Sequence, residues 1–172
     1  MGAVARYRIV PERSRVWIDA RSSLHPIHSS TDGLEGYIDL DVDDGGLVPA
    51  SPPAGAVSLP VSRLSSGNPL EDRELRNRVE AEKFPTIDGT ITRIEAMDGA
   101  GRYRVTGNLV FRGVSRSCED EVRIEEAGDG TVRIEGRSTF DVRDFGMQPP
   151  RILMLRVHPE VTVRVEIVAT SG

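Results

Sequence analysis

Three histidines carry the sharpest chemical possibility in this chain. His25-Pro26-Ile27-His28 holds two imidazoles, and His158 stands far downstream before Pro159. Neutral imidazoles suit Zn or another transition metal, and a single one can ligate haem iron. A His-x-x-His pair with no carboxylate at fixed spacing is a weak metal signal. Separate loop histidines, held by hydrogen bonds or solvent, are therefore the plainer expectation. Cys118 is the sole cysteine, which excludes a disulfide framework and a cysteine-based metal site. It falls on the inward parity of its strand and is expected to be a small core residue. Asp144-Phe145-Gly146 matches the magnesium triplet of protein kinases, but the glycine-rich and catalytic loops of that set are absent. No nucleophile elbow, phosphate loop or dinucleotide fingerprint occurs. The residues thus imply no cofactor and no catalytic residue, and binding is favoured over catalysis.

The elements that position these residues are strands. Apolar and polar residues alternate with period two through Tyr103, Val105, Gly107, Leu109, Phe111, and again through Val132, Ile134, Gly136, Ser138, Phe140. A third run is Val161, Val163, Val165, Ile167. Weaker runs are Val16, Ile18, Ala20; Leu34, Gly36, Ile38, Leu40, Val42; Val57, Leu59, Val61; Ile87, Gly89, Ile91; and Val122, Ile124. Together they predict about eight strands. Asp98-Gly99-Ala100-Gly101 and Gly128-Asp129-Gly130 read as hairpin turns, and Pro49 to Pro53 as a loop. One helix is predicted over Leu70–Val79, with Asn68 as its cap and Pro69 in its first turn. Its charges suggest a solvated face; the alternative is a lid edge over one mouth. Gln148 to Leu155 reads as a buried strand or as an apolar flap, with Arg151 and Arg156 placed to meet a polar head group.

Eight antiparallel strands with one apolar face avoid open edges by closing into a barrel. A two-sheet sandwich is the competing solution. In the barrel, the loop after the first strand and the start of the last strand share one end, which would bring His25, His28 and His158 to one mouth. Inward glycines at positions 36, 89, 107 and 136 mark strand bends or leave a void.

Four segments resemble the YceI-like polyisoprenoid-binding family. They are His28 followed by Gly36-Tyr37; Glu71 to Arg76 followed by Glu82-Lys83-Phe84-Pro85-Thr86-Ile87; Val105 to Val114; and Asp144-Phe145-Gly146-Met147. The resemblance implies an all-β fold, an eight-stranded antiparallel lipocalin-like barrel with one short helix, spanning residues 1–172 as a single domain. It also implies an apolar tunnel whose partner is an apolar small molecule such as an isoprenoid chain. The expected ligand-binding residues are Val16 and Ile18, Ile38 and Leu40, Leu59 and Val61, Ile91, Val105, Leu109 and Phe111, Val122, Ile134 and Phe140, and Val163 and Val165. The alternative function is a metal- or haem-binding protein or small enzyme using the histidines.

Composition narrows the partners. Asp and Glu total 27 against 22 Lys and Arg, a net charge of −5, and no basic run occurs, so no nucleic acid is expected. No stretch approaches the roughly 18 apolar residues of a spanning helix. The N-terminal residues lack an apolar leader segment, so a cytoplasmic protein is the expectation. Monomer and oligomer both remain open.

Overall fold

Side chains of a strand point alternately to opposite faces, so a period-two apolar pattern buries one face only when the sheet curls around it. The computed structural model, which describes residues 3–24, 26–43, 46–149, 151–152 and 155–171, shows that curl. The elements in chain order are β1 (Ala3–Ile9), β2 (Arg15–Ser22), β3 (Pro26–Thr31), β4 (Glu35–Asp43), β5 (Gly46–Pro60), α1 (Pro69–Val79), β6 (Thr86–Ala96), β7 (Arg102–Phe111), β8 (Val114–Gly128), β9 (Thr131–Asp141), β10 (Arg151–Ile152) and β11 (Leu155–Thr170). Short 3-10 turns occupy Pro11–Arg13, Val61–Arg63 and Val142–Phe145.

The strands pair antiparallel in the order β1-β4-β5-β6-β7-β8-β9-β11, and β1 closes the circle on β11. The result is the closed eight-strand antiparallel barrel expected from the sequence. Two positions in its wall are shared. β2 and β1 follow one another along β11, with Val165 opposite Val16 and Ala169 opposite Ile9. β3 then pairs with β2, and β4 with β1. Ser14 closes the break between β1 and β2: its hydroxyl donates to the Val10 carbonyl at 2.8 Å and accepts from the Val168 amide at 3.0 Å.

Three expectations need correction. β1 and β3 were not anticipated, and His28 lies in β3 rather than in a loop. Pro49 to Pro53 is no separate loop. It lies within β5 at a break in register, where Asp39 pairs with Ala54 but Leu40 with Pro49. The extra residues 50–53 interrupt the β4–β5 ladder, and such a break tolerates prolines that a regular ladder would not.

Turn chemistry matches the strand twist. Arg112 and Gly113 join β7 to β8 with φ of 54° and 75°, the pair of positive values a tight two-residue hairpin needs. Inward glycines let the wall coil tightly. A Cβ on Gly107 would lie 2.2 Å from the Thr90 carbonyl oxygen, and one on Gly36 (φ 143°) would lie 2.0 Å from that of Ala56. Both therefore mark close strand approach, at β6–β7 and β4–β5. The half of the barrel nearer the β6–β7 and β8–β9 hairpins is solidly packed by Tyr7, Ile38, Leu40, Ile94, Tyr103, Ile124, Val132, Ile134 and Ile167.

Candidate functional site

The other half of the barrel is hollow. Its cavity measures ≈ 410 Å³, inside the roughly 300–1,000 Å³ range of small-molecule sites. Every strand of the wall from β5 to β9 contributes to it, as do β2, β3 and β11. Among the expected ligand-binding residues, Val16, Ile18, Leu59, Ile91, Val105, Leu109, Val122, Val163 and Val165 line the wall. Val61, Phe111 and Phe140 line it near the mouth. Most of these side chains point inward yet are only half-buried, because they face empty space instead of one another. Ile38, Leu40 and Ile134 also point inward, but they lie in the packed half and do not border the cavity.

The mouth is covered by α1. Asn68 caps it as expected, its side chain accepting from the Leu70 and Glu71 amides, with Pro69 in the first turn. Asp72 ties the helix start to the preceding loop by accepting from the Ser66 amide at 2.9 Å and hydroxyl at 2.8 Å. Arg73, Arg76 and Asn77 face solvent, while Leu75 and Val79 turn toward the hollow and pack near Val61 and Met147. The charged helix is thus a solvated face on one side and the lid edge on the other. Beyond its C-terminus, Arg112 pairs with Glu80 at 2.9 Å and donates to the Gly146 carbonyl at 2.5 Å. This guanidinium ties the lid to the Asp-Phe-Gly turn. In that turn Phe145 meets Phe111 and Phe140 edge-on, with centroids 5.6 and 6.5 Å apart.

The wall has a seam. β8 and β9 pair from Val122 and Gly136 down to their hairpin, but above that height the two strands part. β8 stays on β7 as far as Val114, and β9 stays on β11 as far as Asp141. The Val142–Phe145 turn fills the wedge, with the Arg116 Nε donating to the Asp144 carbonyl at 2.8 Å. At the foot of the wedge three polar side chains face the hollow: Cys118, Asp120 and Ser138. Ser138 faces Asp120 closely enough for its hydroxyl to favour the charged carboxylate. Burial pushes the Asp120 carboxyl above the usual carboxylate range, with Glu119 adding to the rise and Ser138 opposing it. Burial likewise raises the Cys118 thiol, helped by the Asp120 charge. Cys118 is therefore cavity wall rather than filled core. The sequence signal for Asp120 was present: it shares the parity of Cys118, Val122 and Ile124, which is the inward set of β8.

The two described histidines, His28 and His158, are not brought together. His28 faces outward from β3, its Nδ1 2.6 Å from Asp19 Oδ1 on β2. His158 sits on the cavity rim, and His25 lies outside the described residues. Among the described residues no three His, Cys, Asp or Glu side chains are grouped as a metal would require. The Arg156 side chain is exposed and does not border the cavity, and the Arg151 side chain lies outside those described. No described helix is long and apolar enough to cross a membrane.

Comparison with known proteins agrees with this architecture. The model of the YceI-like domain matches residues 7–169. No curated protein is similar enough to count as a match. Among solved structures, BcnA of Burkholderia cenocepacia superposes with a TM-score of 0.79 at 18% identity, over 94% of this chain and 99% of its own. A polyisoprenoid binding domain from Saccharophagus degradans gives 0.74 at 10% identity, over 96% and 98%. The Campylobacter jejuni YCEI protein gives 0.68 at 17% identity, over 84% of each chain. At these identities the likeness is one of fold.

Proposed function

The chain belongs to the YceI-like family, and from that premise we propose that it binds an apolar, isoprenoid-like small molecule inside the barrel and carries it. The observation behind this reading is the hollow of ≈ 410 Å³ walled by inward valines, leucines and isoleucines that are left half-exposed. A similar barrel from Saccharophagus degradans is described as polyisoprenoid binding, which supports the same class of cargo here.

Magnitudes set the size of that cargo. Each buried methylene contributes about 0.8 kcal/mol, so a single five-carbon unit gains about 4 kcal/mol. Association costs of roughly 4–15 kcal/mol consume that gain. A chain of about ten carbons or more is needed before burial yields useful affinity. Leu75 and Val79 of the lid would close over such a chain, and the Phe111–Phe140–Phe145 cluster would flank it at the seam.

Native mass spectrometry of the protein purified without detergent is the direct test, paired with displacement of Nile red by farnesol. Expected results are a co-purifying apolar mass or saturable displacement by farnesol. A folded protein that carries no such mass and binds neither dye nor farnesol would overturn the proposal.

A further inference from the structure

A carboxylate in an apolar wall demands an explanation, because burying a charge without a partner is unfavourable. Asp120 sits between Cys118 and Val122 on β8 and opposite Val105 on β7. Ser138, across the seam on β9, is itself opposite Val163 on β11. None of the ion pairs among the described residues involves Asp120. Arg104, the neighbouring β7 cation, is held by Glu119 at 3.4 Å on the outer face. Ser138 can satisfy one lone pair of the carboxylate, which offers about four. The remaining acceptor capacity faces the hollow.

The ionised side chains that border the cavity are mostly acidic. Glu71 and Asp72 of the lid also border the cavity. Asp72 is engaged by Ser66, which leaves its negative charge in place. His158 at the rim and Arg137, whose residue is largely exposed, are the basic groups that reach the lining.

The geometry points to Asp120 as a selectivity residue: the cavity takes a chain whose polar group donates hydrogen bonds, a protonated amine above all, and discriminates against an anionic head group. This rests on the carrier reading above and specifies the cargo's polar end. A protonated amine would supply the missing cation, and a hydroxyl a neutral donor. A phosphate or carboxylate would meet like charge at Glu71, Asp72 and Asp120, inside a wall of low polarisability that screens it poorly. The burial that raises the Asp120 carboxyl supports the same conclusion, since such a group gains most from a proton or a cation.

The test uses the full chain and three ligands of one chain length. Dodecylamine, dodecanol and dodecyl phosphate, each below its micellar concentration, are titrated at pH 7 against bound Nile red. The amine is expected to bind tightest, and the phosphate at least tenfold more weakly than the alcohol. Asp120→Asn, which keeps the size of the side chain, is expected to weaken the amine at least tenfold and strengthen the phosphate, with the alcohol nearly unchanged. Asp120→Glu keeps the charge and is expected to keep the order. Binding of all three ligands within threefold of one another overturns the proposal and leaves the carrier reading standing, as does an Asp120→Asn shift equal for all three. If no ligand or dye binds a chain whose circular dichroism is intact, the carrier reading falls and the proposal with it.

Discussion

Leu40 and Leu109 offer a matched pair for testing whether half of this barrel is hollow in solution. Both face inward, but Leu40 is 1% exposed in the packed half, whereas Leu109 borders the cavity. Truncating each to alanine removes the same atoms. In the packed half, Leu→Ala costs about 2–5 kcal/mol, because the lost contacts and the new void both count. At Leu109 the void already exists, so only contacts with the wall are lost, and the expected cost is under about 2 kcal/mol. For a chain of this length each kcal/mol moves Tm by roughly 2–4 °C, so the two variants should melt at clearly different temperatures, Leu40→Ala lower. Ligand affinity should rank them the other way. The atoms lost at Leu109 are worth up to about 2.4 kcal/mol against a bound chain, a loss of up to roughly 50-fold, while Leu40→Ala leaves affinity unchanged. Thermal melts and Nile red–farnesol displacement on both variants supply the data. Equal destabilisation would mean that the interior collapses and fills, and the hollow would have to be abandoned.

Three further outcomes follow from the geometry. Gly107→Ala, whose Cβ would lie 2.2 Å from a backbone oxygen, should destabilise by about 1–3 kcal/mol or more, read as a fall in urea midpoint. Arg112→Gly removes the tie between Glu80 and the Gly146 carbonyl while suiting the positive φ at that turn. It should speed ligand release and raise amide exchange in residues 69–80 without lowering the barrel's Tm. For Asp120 the folded-state pKa is raised, so its penalty on folding is absent below the ordinary carboxylate range and grows as pH rises through the raised value. Asp120→Asn should therefore be more stable than the parent at pH 7 and equal to it near pH 3, as urea titrations at the two pH values would show.

The strands that packing makes two-faced were legible in the sequence, because half-burial writes itself as alternation. β1 carries the same pattern, with Tyr7 buried and Val4 58% exposed. Alanines at positions 3 and 5 supply little apolar contrast, and that hides it. β3 is short, begins at Pro26 and is mostly polar, so its strand character comes from pairing with β2 instead of from its own residues. The cavity wall was readable from parity, including the overlooked Asp120. Which inward residues meet a partner and which meet empty space was not. Ile38 and Val105 have the same local pattern and different surroundings, set by where the lid and the hairpins fall. The two described histidines show the opposite limit: His28 faces outward beside Asp19 while His158 sits on the cavity rim, so nearness along the wall does not make side chains converge when they lie on opposite faces.

The pairing of β11 has a kinetic consequence. Its sixteen residues contact β9, β2 and β1, so one segment locks together pieces from both ends of the chain. Without β11, the edges of β9, β2 and β1 that it pairs would have no partner and the ring could not close. Ring closure by such distant partners is entropically slow, which places folding in the millisecond-to-second regime of non-local β architectures. Strand edges left unpaired before that closure are exposed to aggregation.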